Sequence, residues 1–124
     1  MSCDVRHHLG RAGEKLASEH LERLGYRVLD RNYQTRWGEL DIVAYDGAAL
    51  VFCEVKSRRL PHAAGHPFDA VDPRKRIQLR KMAGRWLIER HERPHAEVLR
   101  FDAIGVTFTQ SGQLVSVEHI QDAF

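Results

Sequence analysis

Two acidic residues and a lysine that could act together in catalysis lie within the stretch 37–59, namely Asp41, Glu54 and Lys56. Carboxylates are the protein ligands that hard divalent cations such as Mg²⁺ prefer. An ammonium group beside them can orient or deprotonate a water molecule, or offset negative charge that develops during a reaction. Two carboxylates and a lysine on one surface therefore favour metal-assisted hydrolysis of a phosphodiester.

The residues around this trio predict a β-hairpin that brings it together. Asp46-Gly47, between two β-like segments, is a strong short-range hairpin signal. A two-residue turn there makes Asp41 and Glu54 diagonal neighbours, whereas a four-residue loop keeps the same faces and sets them directly opposite. A loop of odd length is rejected because it would exchange the two faces of one strand.

Alternation along the two strands separates an apolar face from a partly polar one. The apolar face is predicted to comprise Leu40, Ile42, Ala44, Ala49, Val51, Cys53 and Val55. The far end of the opposite face carries Glu39, Asp41, Glu54 and Lys56. Carboxylates about 5–8 Å apart between Cβ atoms repel, unless a cation lies between them or one is protonated. An alternative interpretation is a solvated face whose acids pair with Lys56 and nearby arginines.

Size and composition are those of a single soluble globular domain spanning residues 1–124. Apolar residues make up 43% and charged residues 29% of the chain. The longest apolar run, Ala48–Cys53, is far too short to cross a bilayer, and no signal peptide is visible. Cys53 falls on the apolar hairpin face and forms no CxxC pair with Cys3, so we expect a buried free thiol and a cytoplasmic protein without membrane association.

The first helix is predicted over His7–Leu24, after a loose end at Met1–Arg6, because its apolar and small residues recur with helical spacing. A strip of small residues would let this helix approach the sheet closely: Gly10, Gly13 and Ala17. Glu14 lies beside that strip and could reach the edge of the hairpin. The alternative is a surface acid paired with Arg11, one turn earlier.

A second helix is predicted from the N-cap Asp72-Pro73 to about His91. Its predicted buried stripe comprises Leu79, Met82, Ala83, Trp86 and Leu87. Its first turn is basic, which opposes the helix dipole unless an anion such as a phosphate docks there. Basic residues predicted to contact nucleic-acid phosphates are Arg58, Arg74, Lys75, Arg76, Lys81 and Arg85. The alternative is a solvated basic face.

The remaining chain predicts further strands and one long loop. We expect an outer strand at Tyr26–Tyr33, a turn at Gln34–Gly38, a loop at Ser57–Val71 overhanging the polar site, a central covered strand at Glu97–Thr109 and a last strand at Leu114–Ile120. Asp102, the polar exception in the central strand, is expected to support the polar site or to pair with an arginine of a helix. The order of elements predicts an α/β sandwich around a mixed sheet of about five strands flanked by two main helices.

The order Asp41, then Glu54-Val55-Lys56, resembles the PD-(D/E)xK motif of restriction-endonuclease-like nucleases, with Leu40 in place of the nominal proline. Nearly the whole chain is also similar to the uncharacterised YraN-like family, itself distantly similar to archaeal Holliday-junction resolvases. The segments that carry this likeness include GRAGEKLASEHLERLGY, GELDIVAYDGAALVFCEVKSR, RFDAIGV and HIQDAF.

The resemblance implies a restriction-endonuclease-like core and specific roles for individual residues. It makes Asp41 and Glu54 metal ligands, Lys56 the catalytic lysine, the Val55 carbonyl a further ligand, Glu14 the helix-borne acid and Glu39 an accessory group. It also implies Mg²⁺ or Mn²⁺ as the cofactor, nucleic acid as the partner with DNA preferred over RNA, and a homodimer like that of the resolvases.

The leading hypothesis is therefore a metal-dependent nuclease acting on DNA, with branched and damaged DNA among its candidate substrates. The alternative is a non-catalytic nucleic-acid-binding module that retains the nuclease fold. The presence of Asp41, Glu54 and Lys56 together favours the enzyme. A third hypothesis, a protein-interaction role with an incidental acidic face, predicts that no nucleic acid binds at low salt.

Overall fold

The computed structural model describes residues 2–61 and 73–124, and side chains in the first helix from residue 10 onward. In chain order the elements are α1 (Ser2–Arg23), β1 (Arg27–Thr35), β2 (Gly38–Tyr45), β3 (Ala49–Arg59), α2 (Pro73–Glu89), β4 (Val98–Phe108) and β5 (Leu114–Ile120). The predicted α/β class is confirmed, because the two helices flank a mixed five-stranded sheet consistent with a restriction-endonuclease-like core. No helix in the described part of the chain is long and apolar enough to span a membrane.

The strands lie in the order β1-β2-β3-β4-β5. The β3–β4 pair is parallel and the other three pairs are antiparallel. Parallel neighbours need a long crossover connection, and here that connection contains α2. β4 is covered on both faces, as predicted, because every residue from Phe101 to Phe108 is buried.

Two separate hydrophobic cores show that the helices pack on opposite faces of the sheet. The α1-side core joins Ala17 and Leu21 to sheet residues such as Val51 and Ile104. The α2-side core is built around the predicted helix stripe and includes Leu79, Met82, Ala83 and Trp86, with Leu87 partly buried against it. Cys53 lies in the α1-side core as a buried free cysteine, as expected.

Several predicted boundaries are wrong in detail. α1 begins at Ser2, because neither proline nor glycine interrupts residues 2–6 and the helix continues through the expected loose end. β1 runs to Thr35 and β2 begins at Gly38, so only residues 36–37 form the turn between them.

β3 likewise extends to Arg59 through its parallel pairing with β4, so the expected loop begins later than Ser57. Residues 62–72, including most of that loop and the predicted N-cap Asp72, lie outside the described residues. α2 ends at Glu89, two residues before the predicted end at about His91.

The hairpin has the four-residue register, since Tyr45 pairs with Leu50. The Asp46 carboxylate explains why, because its Oδ1 accepts hydrogen bonds from the N–H groups of Ala48 (2.8 Å) and Ala49 (2.7 Å). This is the local side-chain capping that aspartate provides in turns, and Gly47 supplies the required positive φ of 103°.

The predicted apolar face is wrong at one position, Leu40. Ile42 packs in the α1-side core as expected, but Leu40 packs in the α2-side core, so the alternation of β2 is interrupted between them, at Asp41. The neighbouring strand is irregular at the same level, because Asn32 has a φ of +53° and lies between the paired positions Arg31 and Tyr33. Asp41 is thereby turned toward α1.

Close approach of α1 to the sheet is confirmed at Gly13, where an added Cβ would lie 1.8 Å from Ser57 Oγ and 3.1 Å from Ser57 Cβ. At Gly10, by contrast, no atom of the described residues lies within 4 Å of such a Cβ. The small-residue strip is therefore required at its middle, next to Glu14, and not at its first member.

Replacing Gly13 with alanine is expected to lower the free energy of unfolding by about 1–3 kcal/mol, because the methyl group overpacks the contact with Ser57. The matched Gly10→Ala variant should be neutral or more stable by up to about 1 kcal/mol, since alanine is the better helix former. Urea unfolding followed by circular dichroism measures both. Adding Ser57→Ala to Gly13→Ala should recover part of the loss, and equal effects of the two glycine variants would contradict this packing.

Candidate metal centre

Three acidic side chains converge where α1 crosses β2. Glu14 comes from α1, and Glu39 and Asp41 come from β2. One carboxylate oxygen from each lies within 4.8 Å of those from the other two. The Gly13 contact brings Glu14 down to the sheet, and the irregularity at Asp41 turns that residue to the same side as Glu39. These three residues are called the acid cluster below.

Asn32, which the sequence analysis did not single out, links two members of the acid cluster. In the amide orientation that satisfies its neighbours, its nitrogen donates to Glu14 Oε2 (2.5 Å) and to Glu39 Oε1 (2.8 Å). Its positive φ is tolerated because asparagine enters the left-handed region more readily than most residues. An asparagine inside a strand-like segment was the available signal for this residue.

Asp41 is held in place by the backbone of β3. Its Oδ2 accepts a hydrogen bond from the Val55 N–H at 2.8 Å. Burial, followed by the nearby charge of Glu54, raises the pKa of Asp41 to about 8 despite that hydrogen bond. Burial and the charge of Glu39 also raise the pKa of Glu14. A divalent cation among these oxygens would reverse both effects by favouring the charged carboxylates.

The Val55 carbonyl is placed toward the same gap between the strands. In a β-strand the N–H and C=O of one residue point to the same side, so this carbonyl faces β2 as the N–H does. The β2–β3 ladder ends at the pair Ile42–Cys53, next to Asp41. A carbonyl of β3 therefore opens toward the acid cluster.

Glu54 lies outside the acid cluster and pairs with α2. Its Oε1 is 3.0 Å from Lys75 Nζ, and the Glu54 side chain is 17% exposed. Its charge nevertheless contributes to the raised pKa of Asp41, so the two carboxylates are electrostatic neighbours. Lys56, two residues further along β3, is exposed. The structure thus brings Glu14, Glu39 and Asp41 into direct proximity and leaves Glu54 in an ion pair beside them.

Comparison with known sequences assigns the chain to a family. Residues 13–106 match the model of the uncharacterised protein family UPF0102. The chain belongs to the UPF0102 family. The resemblance to YraN-like proteins drawn from its motifs is thereby confirmed.

Members of the UPF0102 family from several bacteria are similar to this chain over nearly its full length. The protein of Frankia casuarinae is 48% identical over 117 residues, which cover 94% of this chain and 95% of its own. Those of Streptomyces griseus and Geobacter metallireducens are each 47% identical over 116 residues, covering 94% of this chain and 95% and 91% of their own.

The basic residues predicted to meet nucleic acid occupy two places. On α2, the exposed members are Arg74, Arg76, Lys81 and Arg85. Lys75 is half-buried in its ion pair with Glu54, and Arg85 pairs with Glu89 one turn later at 2.8 Å. On β3, Arg58 is half-buried and donates to Thr107 Oγ1 at 3.2 Å.

Asp102 belongs to a different network from the acid cluster. It is fully buried and accepts from Arg100 Nε (2.9 Å), from His119 Nε2 (2.8 Å, when that nitrogen carries the proton) and from the Asp122 N–H (2.9 Å). The prediction that Asp102 pairs with an arginine of a helix is wrong. Its partner Arg100 lies on the same strand, two residues earlier and on the same face. Burial alone would raise the pKa of Asp102, but hydrogen bonds from His119 and Arg100 lower it overall.

Neutralising Asp41 should stabilise the metal-free protein in a pH-dependent way. Because its folded pKa is about 8 and its ordinary value is 3.8, the folded state binds more protons than the unfolded state between these values. Stability therefore falls as pH rises from about 4 to 8, and Asp41→Asn removes that loss. In EDTA, this variant should exceed the wild type at pH 8 by up to about 5 kcal/mol, the equivalent of a shift of about four pKa units, and by much less at pH 4.

Asp102→Asn is the control, and its effect on stability should have the opposite sign. Because folding lowers the pKa of Asp102, its charged carboxylate stabilises the folded state at pH values above the pKa of the unfolded chain. This variant should lose stability at pH 7 and lose less at pH 3. Urea unfolding at a series of pH values measures both variants. An Asp41→Asn variant that is no more stable than the wild type at pH 8 would contradict the assigned environment of this carboxylate.

Proposed function

We propose that this protein is a divalent-metal-dependent nuclease that hydrolyses phosphodiester bonds of DNA. The observation that carries the proposal is the acid cluster, three carboxylates with oxygens within 4.8 Å of one another. Their repulsion and burial cost stability, and such strain is concentrated at functional sites. The adjoining Glu54-Val55-Lys56 supplies the remaining groups that the motif requires.

The donor set fits Mg²⁺ or Mn²⁺. It consists of oxygen atoms, which these hard cations prefer. Ligands held at 2.0–2.1 Å from one ion lie at most about 4.2 Å apart, so separations of up to 4.8 Å need only small side-chain rotations. Glu14, Asp41, Glu54 and the Val55 carbonyl would hold the ion, with Glu39 as an accessory acid.

Each residue then has a distinct task. When bound, the ion supplies Lewis-acid polarisation of the scissile phosphate and lowers the pKa of a coordinated water. Lys56, exposed beside Glu54, positions the attacking water and offsets the charge developing on the phosphate. Asn32 keeps Glu14 and Glu39 in place through its amide.

Lys75 acts as a temporary partner for Glu54. Its ammonium lies 3.0 Å from that carboxylate and neutralises it. A DNA phosphate arriving at the first turn of α2 competes for Lys75 and releases Glu54 for the ion. Arg74, Arg76, Lys81 and Arg85 on the same helix, with Arg58 on β3, contact flanking phosphates, which position a duplex without reading its sequence.

The preference for DNA over RNA, the homodimer and the cytoplasmic location belong to the same proposal. The buried free thiol of Cys53 supports a reducing compartment. The dimer and the DNA preference are supported by the resemblance to resolvases.

Cleavage assays with variants test the proposal. Linear, branched and single-stranded DNA and RNA are incubated with Mg²⁺ or Mn²⁺ and compared with EDTA controls. We expect metal-dependent cleavage that falls at least about 100-fold in Asp41→Asn, Glu54→Gln and Lys56→Ala, because each removes a metal ligand or a charge-stabilising group.

Glu22→Gln is the matched control for Glu14→Gln, since Glu22 is an exposed acid on the same helix. It should cleave like the wild type, whereas Glu14→Gln should be impaired. No cleavage of any substrate, or full activity in both Glu54→Gln and Lys56→Ala, would overturn the nuclease.

A second candidate function is a non-catalytic nucleic-acid-binding module, and the Lys75–Glu54 ion pair favours it. That pair satisfies Glu54 without a metal. The module would bind DNA with a strong salt dependence, retain binding in Asp41→Asn and cleave nothing under the conditions above.

A further inference from the structure

A cavity of about 470 Å³ lies beside the turn between β1 and β2, against the second half of α2. Its lining residues are Gln34, Thr35, Arg36, Trp37, Arg85 and Glu89. Ligand pockets typically measure roughly 300–1,000 Å³, so this cavity is large enough for one nucleotide. It is called the turn pocket below.

The turn pocket contains an aromatic ring combined with a guanidinium. The Arg36 guanidinium carbon lies 4.8 Å from the centroid of the Trp37 ring. Aromatic rings and guanidinium planes are the surfaces on which proteins stack unpaired nucleobases. One wall of the pocket is therefore suited to the face of a base.

The position of Trp37 is fixed by its neighbours. The backbone N–H of Trp37 donates to Thr35 Oγ1 at 3.0 Å, and its backbone carbonyl accepts a hydrogen bond from the Gln78 side chain on α2. The ring also packs against the α2-side core. A ligand stacking there meets a preorganised surface and loses little binding energy in ordering it.

The charges of the turn pocket favour an anion. Among the described residues that line it, Arg36 and Arg85 carry positive charge and Glu89 carries negative charge. Glu89 accepts a hydrogen bond from the Tyr33 hydroxyl and pairs with Arg85 Nε at 2.8 Å, so the two guanidinium groups and one carboxylate together leave a net charge of +1. A ligand that carries both a flat aromatic group and a phosphate matches this combination.

The turn pocket adjoins the acid cluster. Gln34 lines the pocket and donates through its side chain to the Glu39 carboxylate, its cross-strand partner. Glu39 is a member of the acid cluster. The turn pocket is thus linked to the candidate metal centre through the Gln34–Glu39 hydrogen bond.

We propose that the turn pocket binds an unpaired nucleotide of the DNA strand next to the bond to be cut. Its base stacks on the Trp37–Arg36 pair and its phosphate meets Arg85. A base inside a regular duplex has both faces covered by its neighbours and cannot enter, whereas a bulged, flapped or junction nucleotide can. The proposal rests on the proposed nuclease for the identity of its ligand, and it narrows the substrate class to DNA with an unpaired nucleotide near the cut.

Binding without metal tests the pocket separately from cleavage. In EDTA, the protein is titrated with a blunt DNA duplex, with the same duplex carrying a single-nucleotide bulge, and with oligothymidylate. The chain has two tryptophans, and Trp86 is only 1% exposed, so ligand-dependent changes in emission report Trp37. We expect the bulged duplex to bind at least about tenfold more tightly than the blunt one and to quench the emission.

Variants of the stacking pair should remove this preference. Arg36→Gln and Trp37→Leu are each expected to weaken binding of the bulged duplex about 5- to 100-fold, with little effect on the blunt duplex. Arg27→Gln, an exposed arginine at the other end of β1, is the matched control for lost charge and should retain the preference. Thermal unfolding verifies that Trp37→Leu is folded, and exposed Arg36 provides a variant that leaves the core untouched.

Each outcome separates the pocket from the nuclease. Equal binding of the two duplexes, or an unchanged preference in Arg36→Gln and folded Trp37→Leu, overturns the pocket. Cleavage that ignores the bulge leaves the nuclease standing and overturns the pocket. A bulge preference retained in Asp41→Asn, with no cleavage by the wild type, supports the pocket and removes the nuclease.

Discussion

The hydrogen bond from the Val55 N–H to the Asp41 carboxylate is the interaction on which the rest of the candidate site depends. It replaces a backbone acceptor with a side chain at the point where the β2–β3 ladder ends. The two strands are still joined there, but by a group that can also hold a cation. The same bond keeps Asp41 buried, and that burial is the first cause of its raised pKa.

Around this bond, close packing and hydrogen bonds position the acidic side chains, and one ion pair neutralises Glu54. Gly13 brings Glu14 within reach of β2, Asn32 bridges Glu14 to Glu39, and Lys75 neutralises Glu54 from the far side of the sheet. Two helices on opposite faces therefore contribute to one edge of the same hairpin. Their placement follows from the two separate cores, which fix each helix to its own face of the sheet.

Much of this arrangement could be predicted from local sequence. Asp46-Gly47 marks the hairpin tip, Gly13 marks the close approach of α1, and the apolar spacing of α2 marks its buried stripe. These features depend on neighbours a few residues away, where turn chemistry and periodicity determine structure.

Features that depend on distant partners were not predictable in the same way. The predicted face of Leu40 is wrong because strict alternation does not hold through Asp41. The irregularity there arises with Asn32, which lies on another strand. For Asp102 the sequence predicts a role in the polar site or an arginine of a helix as its partner, whereas Arg100, two residues earlier on the same strand, donates to it. No short-range sequence pattern predicts the turn pocket, because Trp37 and Arg85 line it together only after α2 packs on the sheet. The roles of Glu54 as a metal ligand and of Lys56 as the catalytic lysine stay predictions, because a role in a reaction is defined by activity and not by the position of a side chain.

The network around Arg100 has a consequence for how the chain matures during synthesis. Arg100 ties Asp46 in the hairpin loop to Asp102 in β4, and the last segment then adds His119 and the Asp122 amide. Until residues 114–124 have left the ribosome, the buried Asp102 lacks two of its donors, and burying an unsatisfied carboxylate is costly. The sheet around Asp102 can therefore be completed only after β5 and the segment that follows it have been synthesised, even though all three acid cluster residues lie N-terminal to β3.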